Sequence, residues 1–372
     1  MARNRLIYQS QLLYVSKDAS STAVADHEEL TRVQSANYGF SITRQDINEY
    51  GQLARIDSLV VDPPTVNLDF SYYLTDGFNE RALGFYVNTG LAGAAGGFAS
   101  GHLNDGSGKN FYVTIAGEGE DGVEDSNVPN STIGVGNAYL SDYSVDLSVG
   151  SLPTVTVSLE ASNINSDIIV TGDAGGFHAA SPGITTSDGT SLGFEAVLPS
   201  GVTAYADEAA GKISALRPGD VTIDISNTLG QVLSKVTTDT DGIHVQSASL
   251  SVPLSRTAIS KLGTKFDYAK VVDFPVTVTL NVSAIVNEMS ENDLVTIIDQ
   301  SQVDVSLLVK NDAGVPAVRY DLKKCDIDSE SFSSSIGSDN SVDMTFTTQI
   351  GSATDLVNGV FMSGMNTGVV FA

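Results

Sequence analysis

Tryptophan is absent from the sequence, and Cys325 is the single cysteine in 372 residues. One cysteine excludes a disulfide framework within the chain. Basic residues are also scarce, because 19 Lys and Arg stand against 45 Asp and Glu, for a formal net charge of −26. Nucleic-acid binding depends on Lys and Arg that displace counterions from phosphate, so this balance argues against an ordinary DNA- or RNA-binding protein.

Long apolar runs are missing as well. No run approaches the roughly 20 residues that a membrane helix needs. The N-terminus carries basic residues but no continuous apolar segment, so no signal peptide is predicted. We therefore expect a protein without a membrane partner that is made and kept in a reducing cytoplasm.

Residues with catalytic or metal-binding chemistry are sparse. No serine stands in a nucleophile elbow, and no glycine-rich segment has the helix start of a phosphate loop. The acidic segment 118–125 lacks the spacing of a calcium loop and is predicted to be solvated. Cys325 is predicted to be a structural thiol in a strand. The four histidines are far apart in the sequence: His27, His102, His178 and His244. The sequence therefore predicts no enzyme, no catalytic residue, no cofactor and no metal.

The most abundant residue types favour β-sheet structure. Val, Ile, Thr and Ser are frequent, and 35 glycines supply turns. Apolar and polar residues alternate in segments 65–70 and 276–282, as in strands that bury one face. One short helix is expected near Asp76, and another is expected to begin at Ser290. The predicted class is mainly β.

The sequence also repeats itself. Moved by 212 positions, segment 33–71 matches segment 245–283 without a gap, with thirteen identities in about forty positions. Arginine at the same point of both copies either anchors a subunit contact through a bidentate carboxylate or stabilises each domain internally. Candidate subunit-interface residues come from this block: Arg44 and Arg256, Ile47 and Ile259, Gly51 and Gly263.

A second match, at a shorter offset, pairs the alternating segments 149–159 and 336–346. The two offsets predict two tandem β-sandwich or barrel domains, each with a short flanking helix. The first covers residues 1–161 and contains a Gly-rich loop at 89–110. The second covers residues 213–372, and residues 162–212 form a Gly/Ser-rich insertion or linker between them.

Segments 33–73, 245–286 and 326–363 resemble tail tube (major tail) proteins of long-tailed bacteriophages, of the type with a duplicated tube domain. The resemblance implies a structural virion protein that polymerises into stacked rings around a DNA-conducting channel. It implies homotrimeric rings with pseudo-sixfold symmetry, and loops at residues 43–57 and 255–267 that reach the adjacent ring. Expected partners are the chain itself, the tape measure, the tail terminator and the baseplate or tip.

The acidity then has a role, since a negative lumen lets genomic DNA pass without specific binding. The expected location is the virion tail, after assembly in the bacterial host cytoplasm. A capsid decoration or head–tail joining protein of a phage would explain most of the same features and is the alternative. A stacked β-domain adhesin of the cell surface is a third class, but it should carry an export signal.

Overall fold

Alternating apolar and polar residues form strands that make up most of the described residues, as expected for a mainly β protein. The computed structural model describes the following residues: 11–18, 26–89, 96–104, 108–115, 131–168, 177–180, 195–198, 216, 221–225, 244–260, 262, 267, 269–285, 302–310, 316–334 and 340–364.

Twenty-two strands and two short helices occur in these ranges. In the first half they are β1 (Gln11–Ser16), β2 (His27–Glu29), β3 (Val33–Ser41), β4 (Arg44–Ile47), β5 (Asp57–Val60), β6 (Thr65–Tyr73), α1 (Phe78–Leu83), β7 (Val87–Thr89), α2 (Ser100–Asn104), β8 (Lys109–Ile115), β9 (Ser131–Ser148), β10 (Thr154–Ala161) and β11 (Asn163–Ile168). The others are β12 (Phe177–Ala180), β13 (Glu195–Leu198), β14 (Val221–Ile225), β15 (His244–Pro253), β16 (Arg256–Ile259), β17 (Ala269–Val272), β18 (Val276–Ile285), β19 (Val303–Lys310), β20 (Pro316–Ser333), β21 (Ser341–Ile350) and β22 (Gly359–Gly364).

Eight of these strands form the main sheet, in the order β3-β6-β10-β9-β15-β18-β21-β20. The first four belong to the first half of the chain and the last four to the second half. All neighbours in this sheet are antiparallel. The main sheet is therefore continuous across the two halves.

Two smaller sheets are joined to the main sheet by β9 and β20. Each of these strands is 18 residues long, so its first part extends beyond the main sheet and pairs with other strands. The first part of β9 pairs with β8 and β11, which gives the order β2-β1-β8-β9-β11. The first part of β20 pairs with β19 and β22, which gives the order β14-β19-β20-β22-β7. Apart from β2 and β7, the strand order of the two halves is the same.

One hydrophobic cluster joins the three sheets. Leu68 and Leu280 from the main sheet share it with Val113 and Val305 from the two smaller sheets. The other face of the main sheet is polar, and its side chains are exposed or half-buried. The main sheet thus has one apolar face covered by the smaller sheets and one open polar face.

The helix predicted near Asp76 is confirmed as α1. Gly77, with φ 91°, precedes it, and Gly84, with φ 101°, ends it. Asp76 Oδ1 accepts a hydrogen bond of 3.2 Å from the main-chain N–H of Phe78. The helix predicted to begin at Ser290 and the acidic segment 118–125 lie outside the described residues.

The Gly-rich stretch 89–110, which the sequence assigned to a loop, is partly structured. Residues Ser100–Asn104 form α2, and Phe98 just before it is buried. The Phe98 ring stacks on Phe85 with centroids 4.1 Å apart, and it meets Tyr143 at 5.1 Å. Glycine content alone predicted a loop and missed this aromatic contact.

Candidate functional site: the two ends of the main sheet

The junction between the two halves of the main sheet is the pairing of β9 with β15. Leu250 lies opposite Val145, and Val252 lies opposite Tyr143. All four side chains are fully buried. Pairing and apolar packing therefore hold the two halves together across this line.

The β3 end of the main sheet is the outer side of β3, which has no strand partner among the described residues. β3 corresponds to β15 at the 212-residue offset, so Tyr38 corresponds to Leu250 and Phe40 to Val252. Leu250 and Val252 are 0% exposed, whereas Tyr38 is 48% and Phe40 is 65% exposed. The same apolar side of the strand is thus covered in one half and open in the other.

The β20 end is the outer side of residues 326–333 of β20. On that side β19 pairs with β20 only as far as Cys325, so the rest has no partner among the described residues. An offset of 187 relates Phe332 to Val145. Phe332 is 50% exposed and Val145 is 0% exposed.

The register irregularities of the two long strands also coincide. The β9–β10 pairing skips Ser141, and the β20–β21 pairing skips Asp328, 187 residues later. Both irregularities fall at equivalent residues of β9 and β20. Residues 326–333 of β20 therefore alternate between the two faces of the sheet in the same way as the part of β9 that pairs with β15. The β20 end and the β3 end are therefore geometric counterparts of a junction that already exists in the chain.

The two predicted arginines lie in different surroundings. Arg256 begins β16 and is half-buried, and its guanidinium donates to the main-chain oxygens of Leu140, Lys270 and His102 at 3.3–3.4 Å. Burial lowers the pKa of Arg256. Arg44 begins β4 and is exposed, and its side chain has no hydrogen bond or ion pair to the described residues.

Three of the four remaining predicted residues lie on two hairpins that leave the main sheet. β4 and β5 form one hairpin and β16 and β17 the other. Ile47 and Ile259 occupy equivalent exposed positions on them, at 40% and 46% exposure. Gly51, with φ 96°, lies in the turn of the first hairpin, next to the fully exposed Tyr50. Gly263 lies outside the described residues.

The polar face of the main sheet consists of hydroxyl, amide and carboxylate side chains. Hydroxyl pairs cross between neighbouring strands, as in Ser35–Ser71 at 2.7 Å and Ser333–Ser341 at 2.6 Å. Neither Lys nor Arg stands at the alternating positions of this face in the eight strands. Its acidic residues are Asp69, Asp142, Asp146, Glu160, Asp326 and Asp343.

A buried carboxyl group lies beneath the apolar face, and the sequence did not point to it. Glu80 of α1 accepts hydrogen bonds from Tyr72 at 2.8 Å and Tyr143 at 3.2 Å. The Tyr143 hydroxyl lies 2.9 Å from that of Tyr320, so this network joins the two halves of the chain. Burial raises the pKa of Glu80 to about 7. A lone glutamate in a short helix gives no sequence signal, because its tyrosine partners come from distant strands.

This network predicts a specific pH dependence. Glu80 holds its proton up to about pH 7 in the folded chain but only to its ordinary 4.5 when unfolded, so the free energy of unfolding falls as pH rises through that window. Glu80→Gln keeps the acceptor oxygen and removes the titration. Between pH 5 and 8 the wild type should lose about 2.5 kcal/mol more than the variant. Parallel stability curves in urea unfolding would show that Glu80 does not titrate in this window.

Cys325 and His102, two residue types that can act in catalysis, are both buried. Cys325 lies in a strand, as predicted; it is buried in β20, and burial raises its pKa to about 12. His102 is buried in α2 with its ring against Phe85. Burial and the nearby Arg256 lower the pKa of His102 to about 3. Neither group is placed as a nucleophile or a base at neutral pH.

The described part of the chain contains no group of three or more His, Cys, Asp or Glu side chains arranged to hold a metal ion. No helix there has the length and apolar character to cross a membrane. Comparison of the sequence with known protein families and with characterised proteins finds no match.

Proposed function

We propose that the chain is the major tail tube subunit of a long-tailed phage and forms stacked rings around a DNA-conducting channel in the virion tail. The proposal includes the finer fold, in which residues 1–161 and 213–372 are two tail-tube-like domains related by duplication. Residues 162–212 are the insertion between them, and its first strand, β11 (Asn163–Ile168), pairs with β9 in the smaller sheet of the first domain. The resemblance of segments 33–73, 245–286 and 326–363 to tail tube proteins motivates this assignment.

One observation carries the proposal: the β9–β15 junction has an unused counterpart at each end of the same sheet. A strand edge with exposed apolar side chains favours pairing with another chain unless it is covered. The β3 end and the β20 end are different surfaces, so a contact between one and the other is head to tail, and head-to-tail contacts that close produce rings. The register of β9 and β15 predicts Tyr38 opposite Phe332 of the next chain.

The resemblance supplies the number of chains. Three chains, each with eight strands in its main sheet, would give a closed barrel of six equivalent four-strand units. Around this barrel, internal β9–β15 junctions would alternate with contacts between chains. That arrangement has threefold symmetry and nearly sixfold geometry. Both kinds of junction would then bury the same apolar positions.

The open polar face of the main sheet would line the channel. Its carboxylates repel phosphate, and its lack of Lys and Arg removes the counterion release that makes DNA bind. Hydroxyl and amide groups keep such a surface wetted without adding positive charge. This face is suited to passing DNA rather than holding it.

The two hairpins would contact the adjacent ring. Tyr50 and Leu53 at the tip of the first hairpin, and Leu262 at the tip of the second, are almost completely exposed. Large apolar side chains that project from a hairpin tip favour burial against another surface. Their position agrees with the loops that the resemblance implies at residues 43–57 and 255–267.

Electron microscopy of the purified chain tests this function. We expect rings or tubes with a central hole and a ring mass of three times 38.9 kDa. Particles that remain monomers or holeless trimers and bind only capsids would instead favour a capsid decoration or head–tail joining protein. A ring of six chains would contradict the three-chain arrangement.

A further inference from the structure

Arg256 shows how an arginine stabilises the internal junction. It lies at the start of the second hairpin and reaches across to β9 of the first half. There its Nε donates to the Leu140 main-chain oxygen at 3.3 Å, and its guanidinium lies 5.1 Å from the centre of the Tyr139 ring. Arg256 therefore spans the line along which β9 and β15 pair.

The corresponding positions at the two ends of the sheet are Arg44 on one side and Asp326 and Ile327 on the other. Arg44 corresponds to Arg256 at the 212-residue offset. At the 187-residue offset, Asp326 corresponds to Tyr139 and Ile327 to Leu140. Both Arg44 and Asp326 are exposed. Within the described residues, Asp326 accepts one long hydrogen bond, from Gln302 at 3.4 Å.

We propose that Arg44 of one chain pairs with the Asp326 carboxylate of the neighbouring chain and donates to the main-chain oxygen of Ile327 of that chain. This pair rests on the proposed ring and names the polar contact that directs its closure. The junction within the chain places arginine against an aromatic ring and a carbonyl. The junction between chains places it against a carboxylate and a carbonyl.

The chemistry of the two side chains suits this role. Guanidinium and carboxylate form charge-assisted hydrogen bonds that are stronger and more directional than those of neutral groups. An exposed ion pair on a single chain contributes little, but the same pair partly desolvated between chains governs association and discriminates against wrong contacts. In a chain with net charge −26, an arginine facing an acidic residue also offsets repulsion between neighbouring chains.

Charge reversal tests the pair. Arg44→Glu and Asp326→Arg each place like charges together, so each should raise the concentration needed for ring formation by at least about tenfold, measured by sedimentation. The double variant restores opposite charges and should return to within about threefold of wild type. Single variants that assemble like wild type, or a double variant that stays defective, would overturn the pair.

Two controls separate this pair from other effects. Lys17→Glu makes the same change of charge just after β1, where Lys17 lies 3.8 Å from Asp26, and should assemble normally. Thermal unfolding of the unassembled Arg44→Glu chain should match wild type, because the exposed Arg44 side chain makes no polar contact with the described residues. If rings form but the charge swap has no effect, only this pair is wrong. If the wild type forms no rings, the proposed function is wrong as well.

Discussion

Tyr38→Asp is expected to abolish ring assembly and leave the subunit folded, whereas Leu250→Asp is expected to prevent folding. The two residues occupy equivalent positions of β3 and β15, but Leu250 is 0% exposed and Tyr38 is 48% exposed. A carboxylate at a buried position without a partner costs several kcal/mol, a large part of the stability of a domain. The same group on an open strand edge changes the free energy of unfolding by about 0.5 kcal/mol.

Circular dichroism and sedimentation of both variants measure the difference. A folded Tyr38→Asp chain that stays monomeric at concentrations where wild type forms rings agrees with the account. Normal assembly of this variant would show that the β3 end is not an interface. A Leu250→Asp chain as stable as wild type would show that the β9–β15 junction is misplaced.

Mixing two blocked variants gives a sharper form of this experiment. Phe332→Asp should block the β20 end as Tyr38→Asp blocks the β3 end. Each variant alone should be monomeric, because every contact needs one end of each kind. An equimolar mixture has one intact pair of ends and should form dimers with one copy of each variant, and no rings. Mixed rings would contradict head-to-tail closure.

The sequence was sufficient to predict those features that depend on local pattern. Alternation in segments 65–70 and 276–282 correctly predicted β6 and β18, and Asp76 correctly marked the start of α1. Strand pairing between the halves was not predictable in this way, because alternation shows which residues share a face and not which strand lies beside them. Tyr38 and Leu250 look alike in the sequence and differ only in their neighbours.

The arginines illustrate the same limit. The sequence left two roles open for Arg44 and Arg256, an interface contact or internal stabilisation. The structure places Arg256 against the main chain of the first half and leaves Arg44 exposed, so identical residues in a repeat have different surroundings within one chain. Glu80 was missed for a related reason, because its burial depends on Tyr72, Tyr143 and Tyr320, which are distant in the sequence.

The second prediction with a large expected effect is a ring closed by disulfides between neighbouring chains. In the internal junction Ser251 lies opposite Ser144 on the polar face, and the corresponding residues at the two ends are Gly39 and Ser331. Cysteines at directly opposite positions of antiparallel strands are close enough for a disulfide. Gly39→Cys combined with Ser331→Cys should therefore link each chain to the next on oxidation. The native Cys325 is buried and its pKa is raised to about 12, so it should not react.

A matched control uses the same cysteine at position 39 with a partner on the wrong strand. Thr345 lies on the polar face of β21, one strand in from the β20 end. Gly39→Cys with Thr345→Cys should assemble but give no covalent species, because the two positions are separated by β20 in the proposed contact. Equal cross-linking of both pairs would indicate collisions rather than strand pairing.

The size of the largest covalent product tests the central claim most directly. A non-reducing denaturing gel of the oxidised Gly39→Cys/Ser331→Cys assembly should show one, two and three linked chains and nothing larger, because the third disulfide closes the ring. Absence of cross-links in assembled protein would contradict the pairing of β3 with β20. A series that continues to six chains or beyond would contradict the closed ring of three.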